Sequence, residues 1–172
     1  MPGTRERRHE IALYADAWRH SNERIGSTHG PLWTVLGDST GQGVGATSHD
    51  RGYVGLVRTW LEQRDGTTWR ILNLSVSGAR SADVVNDQLP KLGATSTAEP
   101  PSLVSCAIGA NDLLRRTSGL EENLATIAAA LPPGSLLANM PRGLRERRAR
   151  GVTTSSRTSP VPITCGSPIC GP

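Results

Sequence analysis

Four short apolar runs recur along the sequence, each bounded by glycine, proline or serine, as buried β-strands are. They are LWTVLG (32–37), RILNLSV (70–76), SLVSCAIG (102–109) and SLLANM (135–140). Stretches long enough for a helix separate them. Strands that alternate with helices in this way form a parallel sheet covered by helices on both faces. The pattern therefore predicts an α/β fold, a three-layer α/β/α sandwich with four recognisable parallel strands.

The segments between the strands carry apolar residues at helical spacing. They predict helices over residues 53–64, 81–92 and 120–131, and a further helix over residues 5–24 precedes the first strand. One domain is expected at residues 30–150, after an N-terminal helical extension at 1–29.

The character of the chain changes near residue 151. From there the sequence has four prolines, no acidic residue and no helical period. We expect an irregular or disordered tail at 151–172.

The formal charge of +4 at pH 7 belongs to the end of the chain. Residues 141–172 hold six arginines and one acid, whereas residues 1–140 hold 13 basic and 14 acidic residues. A neutral folded part with few aromatic residues does not favour a nucleic-acid partner. The sequence shows no apolar window long enough for a membrane span and no secretory signal, so a cytoplasmic location is expected.

The three cysteines do not form a metal-binding pattern. Cys106 lies in an apolar run and is expected to be a small core residue. Cys165 and Cys170 lack the second pair of ligands that a zinc site needs.

Polar turns that contain glycine follow the first three strands: GDSTG at 37–41, SVSGAR at 75–80 and AIGAND at 107–112. Because ligands bind at the carboxyl ends of parallel strands, the three turns predict one site at one sheet edge.

Two other interpretations of the first turn are weaker. GDSTG matches the G-x-S-x-G nucleophile elbow of α/β-hydrolases, but such an elbow follows later strands of a chain. GQGVGA (41–46) fits a dinucleotide-binding loop, but loop residues, rather than a helix, follow it.

Taken together, GDST at 37–40, the glycine in SGAR at 77–80 and GAND at 109–112 resemble blocks I, II and III of the SGNH (GDSL-type) serine hydrolases. The resemblance covers about residues 30–150. It implies a flavodoxin-like sheet in the order 2-1-3-4, incomplete at the C-terminus. It also implies hydrolysis of carboxylic esters, of the esterase or lipase type, on small-molecule or lipid substrates, without a metal or cofactor.

The resemblance assigns roles to three residues. Ser39 would be the nucleophile, and its own N–H, the N–H of Gly78 and the side-chain amide of Asn111 would form the oxyanion hole. Such donors, fixed before the reaction, each stabilise the transition state by about 3–4 kcal/mol. Taken one at a time, the same residues could serve only as a helix cap, a turn and a loop bridge. Asp38 and Asp112 are expected to hold the turns as hydrogen-bond acceptors.

The sequence lacks the family's base, a histidine in a D-x-x-H motif near the C-terminus. Its histidines are His9, His20, His29 and His49. Only His49 is expected on the same side of the sheet as Ser39. We interpret the chain as the N-terminal part of such a hydrolase followed by an out-of-frame tail, which predicts a D-x-x-H motif in another frame of the downstream DNA.

Two consequences follow from the absence of the family's D-x-x-H motif and of a fifth strand from the sequence. The alternative function is a non-catalytic remnant or binding protein of the same fold. The fourth strand is expected to be an exposed apolar edge through which the chain self-associates.

Overall fold

A computed structural model describes residues 4–138. Its strands are β1 (Leu32–Gly37), β2 (Arg70–Asn73), β3 (Leu103–Ala107) and β4 (Leu136–Leu137). Its α-helices are α1 (Thr4–Glu23), α2 (Ser39–Gln42), α3 (Tyr53–Asp65), α4 (Ser81–Asp83), α5 (Leu89–Ala98), α6 (Ala110–Arg115) and α7 (Leu120–Ala130). A π-helical turn, Val84–Gln88, joins α4 to α5. The tail predicted at 151–172 and the two cysteines within it lie outside the described residues.

The four strands form one parallel sheet in the order β2-β1-β3-β4. The predicted fold class and strand order are therefore confirmed. Strand β1 lies at the centre and is buried along its whole length, because it is covered on both faces and paired on both edges. Its Trp33 is paired with Ile71 of β2 and Leu103 of β3.

Two apolar clusters lie on opposite faces of the sheet, which is what makes the fold three-layered. The first joins β-strand residues to the π turn, α5 and α7: Leu36, Ala79, Val84, Leu92, Val104, Cys106, Ile108 and Ile127. The second joins them to α1 and α3: Trp18, Trp33, Val35, Val54, Leu61, Trp69 and Ile71. Burial of these side chains is the main force that holds the helices to the sheet.

Helix α1 packs directly on the sheet. Trp18 is buried in the second cluster, and its indole N–H donates to the carbonyl oxygen of Gln42 at 3.1 Å. At the helix end, the side chain of Asn22 pairs with both backbone groups of Asn73, the last residue of β2. This side chain covers part of an edge strand that would otherwise expose its polar groups. The division of the chain at residue 30 stays a prediction.

The helix predicted over 81–92 is not a regular α-helix. The backbone N–H of Leu89 bonds to the carbonyl of Val84, five residues earlier, which is the π pattern. Pro90 explains the departure, because its ring would clash with the carbonyl of Asn86 and it has no N–H to donate. The wider π turn accommodates the proline inside one continuous helical stretch.

The predicted second, third and fourth strands are shorter in the structure, and β3 covers Leu103–Ala107 rather than residues 102–109. Strand β2 ends at Asn73 rather than at residue 76, and β4 contains only Leu136 and Leu137 within the described part. Residues 139 and 140 of the fourth run lie outside it. Within residues 4–138, no helix is both long enough and apolar enough to cross a bilayer.

We expect the chain to self-associate through β4. Leu136 and Leu137 are 59% and 39% exposed, and an exposed apolar edge strand favours pairing with another chain. Light scattering should show an apparent mass that rises with concentration, and Leu136→Lys should reduce that rise. A monomer at every concentration tested would contradict the expectation.

Candidate active site

The turn after β1 begins with a residue that has to be glycine. Gly37 has φ +133°, and a Cβ built on it would lie 2.1 Å from the carbonyl oxygen of Ala107. No side chain fits there, because β1 and β3 approach each other closely at this point. The turn that carries Asp38 and Ser39 is therefore placed by a tight backbone contact.

Asp38 and Ser39 begin the short helix α2. The Asp38 carboxylate is buried and caps the helix, since its Oδ1 accepts from the N–H of Thr40 at 2.9 Å. Ser39 is the first helical residue and is partly buried. Its backbone N–H is at a helix N-terminus, where intrahelical partners are lacking.

The hydroxyl of Ser39 makes no hydrogen bond to any residue within 4–138. His49 is held elsewhere: its ring is edge-on to Trp18, with centroids 5.2 Å apart, and 6.2 Å from the ring of Tyr14. Both partners belong to α1. His49 therefore packs against the N-terminal helix and forms no hydrogen bond to Ser39.

The side chain of Asn111, on α6, connects all three polar turns. Its Nδ2 donates to the carbonyl oxygen of Ala79 at 2.9 Å and lies 3.5 Å from Oδ2 of Asp38. Ala79 follows Gly78, which has φ +84° in the turn after β2. The structure thus brings the neighbourhoods of Ser39, Gly78 and Asn111 to one edge of the sheet. The catalytic roles of these three residues stay predictions.

Asp112 holds the third turn against α4. Its buried carboxylate accepts from the N–H of Ser81 at 2.9 Å, from the hydroxyl of Ser81 at 2.8 Å and from the hydroxyl of Thr117 at 3.1 Å. Asp38 and Asp112 are both structural acceptors, as the sequence predicted.

Two buried glutamines support the first turn, and the sequence did not single them out. The carboxamide of Gln88 bonds to both backbone groups of Gly37: Oε1 accepts from its N–H at 2.8 Å, and Nε2 donates to its carbonyl at 2.9 Å. Gln42 donates to the carbonyl of Ser75 at 2.9 Å and accepts from the hydroxyl of Ser77 at 2.6 Å. A signal for Gln88 existed, because it falls between Val84 and Leu92 on the apolar face of a helix.

Two other titratable groups near the turn stay protonated at neutral pH. Burial raises the pKa of the Cys106 thiol to about 12, and the Asp38 carboxylate adds to this. Burial also raises the pKa of Tyr53 to about 12, against the opposing effect of its hydrogen bond to Ser105. A thiol with so high a pKa is not a nucleophile, so Cys106 packs as a core residue.

A cleft of about 310 Å³ adjoins Gly78. Its lining includes the exposed Val76 and the charged residues Asp83, Asp87 and Lys91. No group of three or more potential metal ligands occurs within residues 4–138.

Comparison with known proteins gives consistent matches. Residues 35–165 match the GDSL-like Lipase/Acylhydrolase family. Over 96 residues the chain is 35% identical to Esterase TesA of Pseudomonas aeruginosa, an alignment that covers 55% of this chain and 45% of that protein. The chain thus spans less than half the length of this relative.

Solved structures are similar as well. The crystal structure of TesA is 30% identical with a TM-score of 0.55, over 70% of this chain and 68% of that one. The structure of AlinE4, an SGNH-hydrolase family esterase, is 26% identical with a TM-score of 0.57, over 73% and 68% of the two chains. The family match covers more than half of the chain and includes all three polar turns. This chain therefore belongs to the GDSL-like lipase/acylhydrolase family.

Proposed function

We propose that this chain hydrolyses carboxylic esters of small molecules or lipids, with Ser39 as the nucleophile. The observation that carries the proposal is the position of Asn111, whose amide joins the turns of Asp38 and Gly78 at the carboxyl edge of the sheet. The family membership and the esterases among the similar proteins support it.

In the proposed reaction, Ser39 Oγ attacks the ester carbonyl carbon and the carbonyl oxygen becomes an oxyanion. The backbone N–H groups of Ser39 and Gly78 donate to no other described residue, so both are open to this oxygen. Asn111 is the third proposed donor. One hydrogen of its Nδ2 is bonded to the Ala79 carbonyl, and the second, which makes only the long 3.5 Å contact with Asp38 Oδ2, would be donated to the oxyanion. The amide stays neutral at every pH. The bond from the carbonyl carbon to the alcohol oxygen then breaks, and the alcohol leaves with the proton that the Ser39 hydroxyl gives up to solvent water. A water molecule then attacks the acyl-serine, which releases the carboxylic acid and restores the Ser39 hydroxyl.

The substrate would occupy the cleft beside Gly78. Val76 offers an apolar contact there, and Asp83, Asp87 and Lys91 add charged groups to the lining. The cleft is large enough for a small acyl or alcohol group, and Gly78, one of the three proposed oxyanion donors, is part of its lining.

The second candidate is a binding protein that keeps the cleft without turnover. It is favoured by two observations: no described residue hydrogen-bonds the Ser39 hydroxyl, and no histidine follows His49 in the sequence. A serine hydroxyl needs a base within reach to be a strong nucleophile. A fluorophosphonate probe distinguishes the candidates, because labelling that is lost in Ser39→Ala requires a reactive serine.

We expect slow hydrolysis of an activated ester such as p-nitrophenyl acetate. A serine hydroxyl without a base within reach is a weak nucleophile, so the rate of the Ser39 reaction should lie far below that of an enzyme with a complete triad. Ser39→Ala should remove most of this rate, and His49→Ala should leave it unchanged because His49 packs on α1. The measurement is turnover of the three proteins, each purified free of host esterases.

Two results would contradict this expectation. Equal turnover in wild type and Ser39→Ala would remove Ser39 from the reaction. Loss of turnover in His49→Ala, with the fold intact, would assign the role of base to His49.

A further inference from the structure

Gln88 completes the hydrogen bonding of the sheet at the one place where β2 falls short. In a parallel ladder, each neighbouring strand supplies backbone partners to the central strand. Strand β2 ends at Asn73. To Gly37, the chain beyond it supplies one backbone hydrogen bond, in which the N–H of Val76 donates to the Gly37 carbonyl at 3.1 Å. The Gly37 N–H donates to Gln88 Oε1 instead, and Nε2 of the same side chain donates to the Gly37 carbonyl.

The amide side chain of Gln88 can make both bonds at once. It carries a donor and an acceptor at one end, whereas an ionised carboxylate only accepts and an apolar side chain does neither. Gln88 is 1% exposed, so water cannot replace either bond. An unpaired backbone group at this depth is costly. The side chain therefore fixes the peptide planes on both sides of Gly37.

Those peptide planes lead directly to Asp38 and Ser39. The N–H of Asp38 is itself bonded to the carbonyl of Ala107 at 3.2 Å, so the turn is held from β3 on one side and from Gln88 on the other. The direction of the Ser39 N–H depends on this turn. We propose that Gln88 is a positioning residue that holds the turn so that the Ser39 N–H points to the oxyanion. The inference rests on the proposed ester hydrolysis.

The test compares Gln88→Met with Leu92→Ala. Gln88→Met keeps the length of the side chain and removes both hydrogen bonds. Leu92→Ala is the matched control, because Leu92 lies one turn later in the same helical stretch and packs in the first cluster, and its side chain makes no hydrogen bond. Its loss of packing lowers stability without removing a hydrogen bond of the turn.

The first readout is hydrogen exchange of the amides in the turn, which requires no activity. The N–H of Thr40 bonds to Asp38 Oδ1 and that of Gly41 to the Asp38 carbonyl. The exchange rate of the Val35 amide in central β1 reports the overall loss of stability. In Gln88→Met we expect the exchange rates of the Thr40 and Gly41 amides to rise about tenfold more than that of Val35. In Leu92→Ala the exchange rates of all three amides should rise by the same factor.

The second readout is Ser39-dependent turnover. We expect Gln88→Met to lower kcat by about 10- to 100-fold with little change in KM, because a displaced donor weakens only the transition state. Leu92→Ala should keep kcat within about threefold.

Three outcomes are informative. The inference is overturned if, in a folded Gln88→Met, the exchange rates of the Thr40 and Gly41 amides rise by the same factor as that of Val35. An unchanged kcat in this variant overturns it as well. A third outcome is faster exchange of these amides in Gln88→Met together with a wild type that shows no Ser39-dependent turnover. This outcome supports the positioning of the turn by Gln88 and overturns the proposed function.

Discussion

Replacing Gly37 with alanine should abolish or nearly abolish folding. The added Cβ would lie 2.1 Å from the carbonyl oxygen and 2.9 Å from the carbonyl carbon of Ala107, both of them backbone atoms of the neighbouring central strand. The φ of +133° is also closed to residues with a side chain. We expect a loss of more than about 4 kcal/mol in the free energy of unfolding, which is a large share of a typical domain's stability. Urea unfolding followed by circular dichroism measures it.

Gly66→Ala is the matched control. Gly66 also has a positive φ, +63°, but no atom lies within 4 Å of its Cβ position. The left-handed helical conformation costs a residue with a side chain only about 1–2 kcal/mol. Equal losses in the two variants would show that the contact with Ala107 can relax, and that Gly37 matters only for its backbone conformation.

The stability of the protein should fall steeply at alkaline pH because of Cys106 and Tyr53. The Cys106 thiol has a pKa of 9.0 when unperturbed and about 12 in the fold. The corresponding pKa values for Tyr53 are 10.0 and about 12. Between these values the unfolded chain has released protons that the folded chain still binds. By linkage, the free energy of unfolding is unaffected below pH 9 and decreases as pH rises toward 12.

The expected size follows from about 1.4 kcal/mol per pKa unit. The thiol contributes a loss of about 4 kcal/mol by pH 12, and the phenol about 3 kcal/mol. Urea unfolding at several pH values from 7 to 10.5 measures the beginning of the decline. Cys106→Ala should reduce the decrease in the free energy of unfolding most, and Tyr53→Phe should reduce the decrease that occurs above pH 10.

The control for this experiment is a background with Cys165→Ser and Cys170→Ser, which leaves Cys106 as the single thiol. The expectation would be contradicted if, in that background, the free energy of unfolding depended on pH in the same way with and without Cys106→Ala. Alkylation by iodoacetamide gives an independent check, since Cys106 should resist it at pH 8 until the protein is unfolded.

The parallel strands and the place of the candidate site could be predicted because both follow from local chemistry, whereas the strand order was implied by the family resemblance. Strand β1 is a continuous apolar run, which is typical of a strand buried on both faces. The turns at 37–41, 75–80 and 107–112 follow successive parallel strands, and parallel strands end at one edge. This is the edge at which the Asn111 amide meets Ala79 and Asp38.

The supports of the site could not be predicted, because they join residues far apart in the sequence. Gln88 and Gly37 are 51 residues apart, and Gln42 and Ser75 are 33 apart. The position of Gln88 on an apolar helix face indicates that it is buried, but nothing in the local pattern shows which backbone groups its amide meets. The place of His49 was likewise open, since its loop could lie toward Ser39 or toward α1.

The sequence by itself determined the α/β class, the parallel strands and the three polar turns, because hydrophobic period and turn residues act over a few positions. The tertiary structure decided which backbone groups the strands leave unpaired and which side chains satisfy them. Strand β2 ends at Asn73, so the Gly37 N–H needs a partner, and the π turn before Pro90 carries Gln88 to it. Such pairing depends on where whole elements pack, because a buried polar group must find its partner wherever the fold brings one.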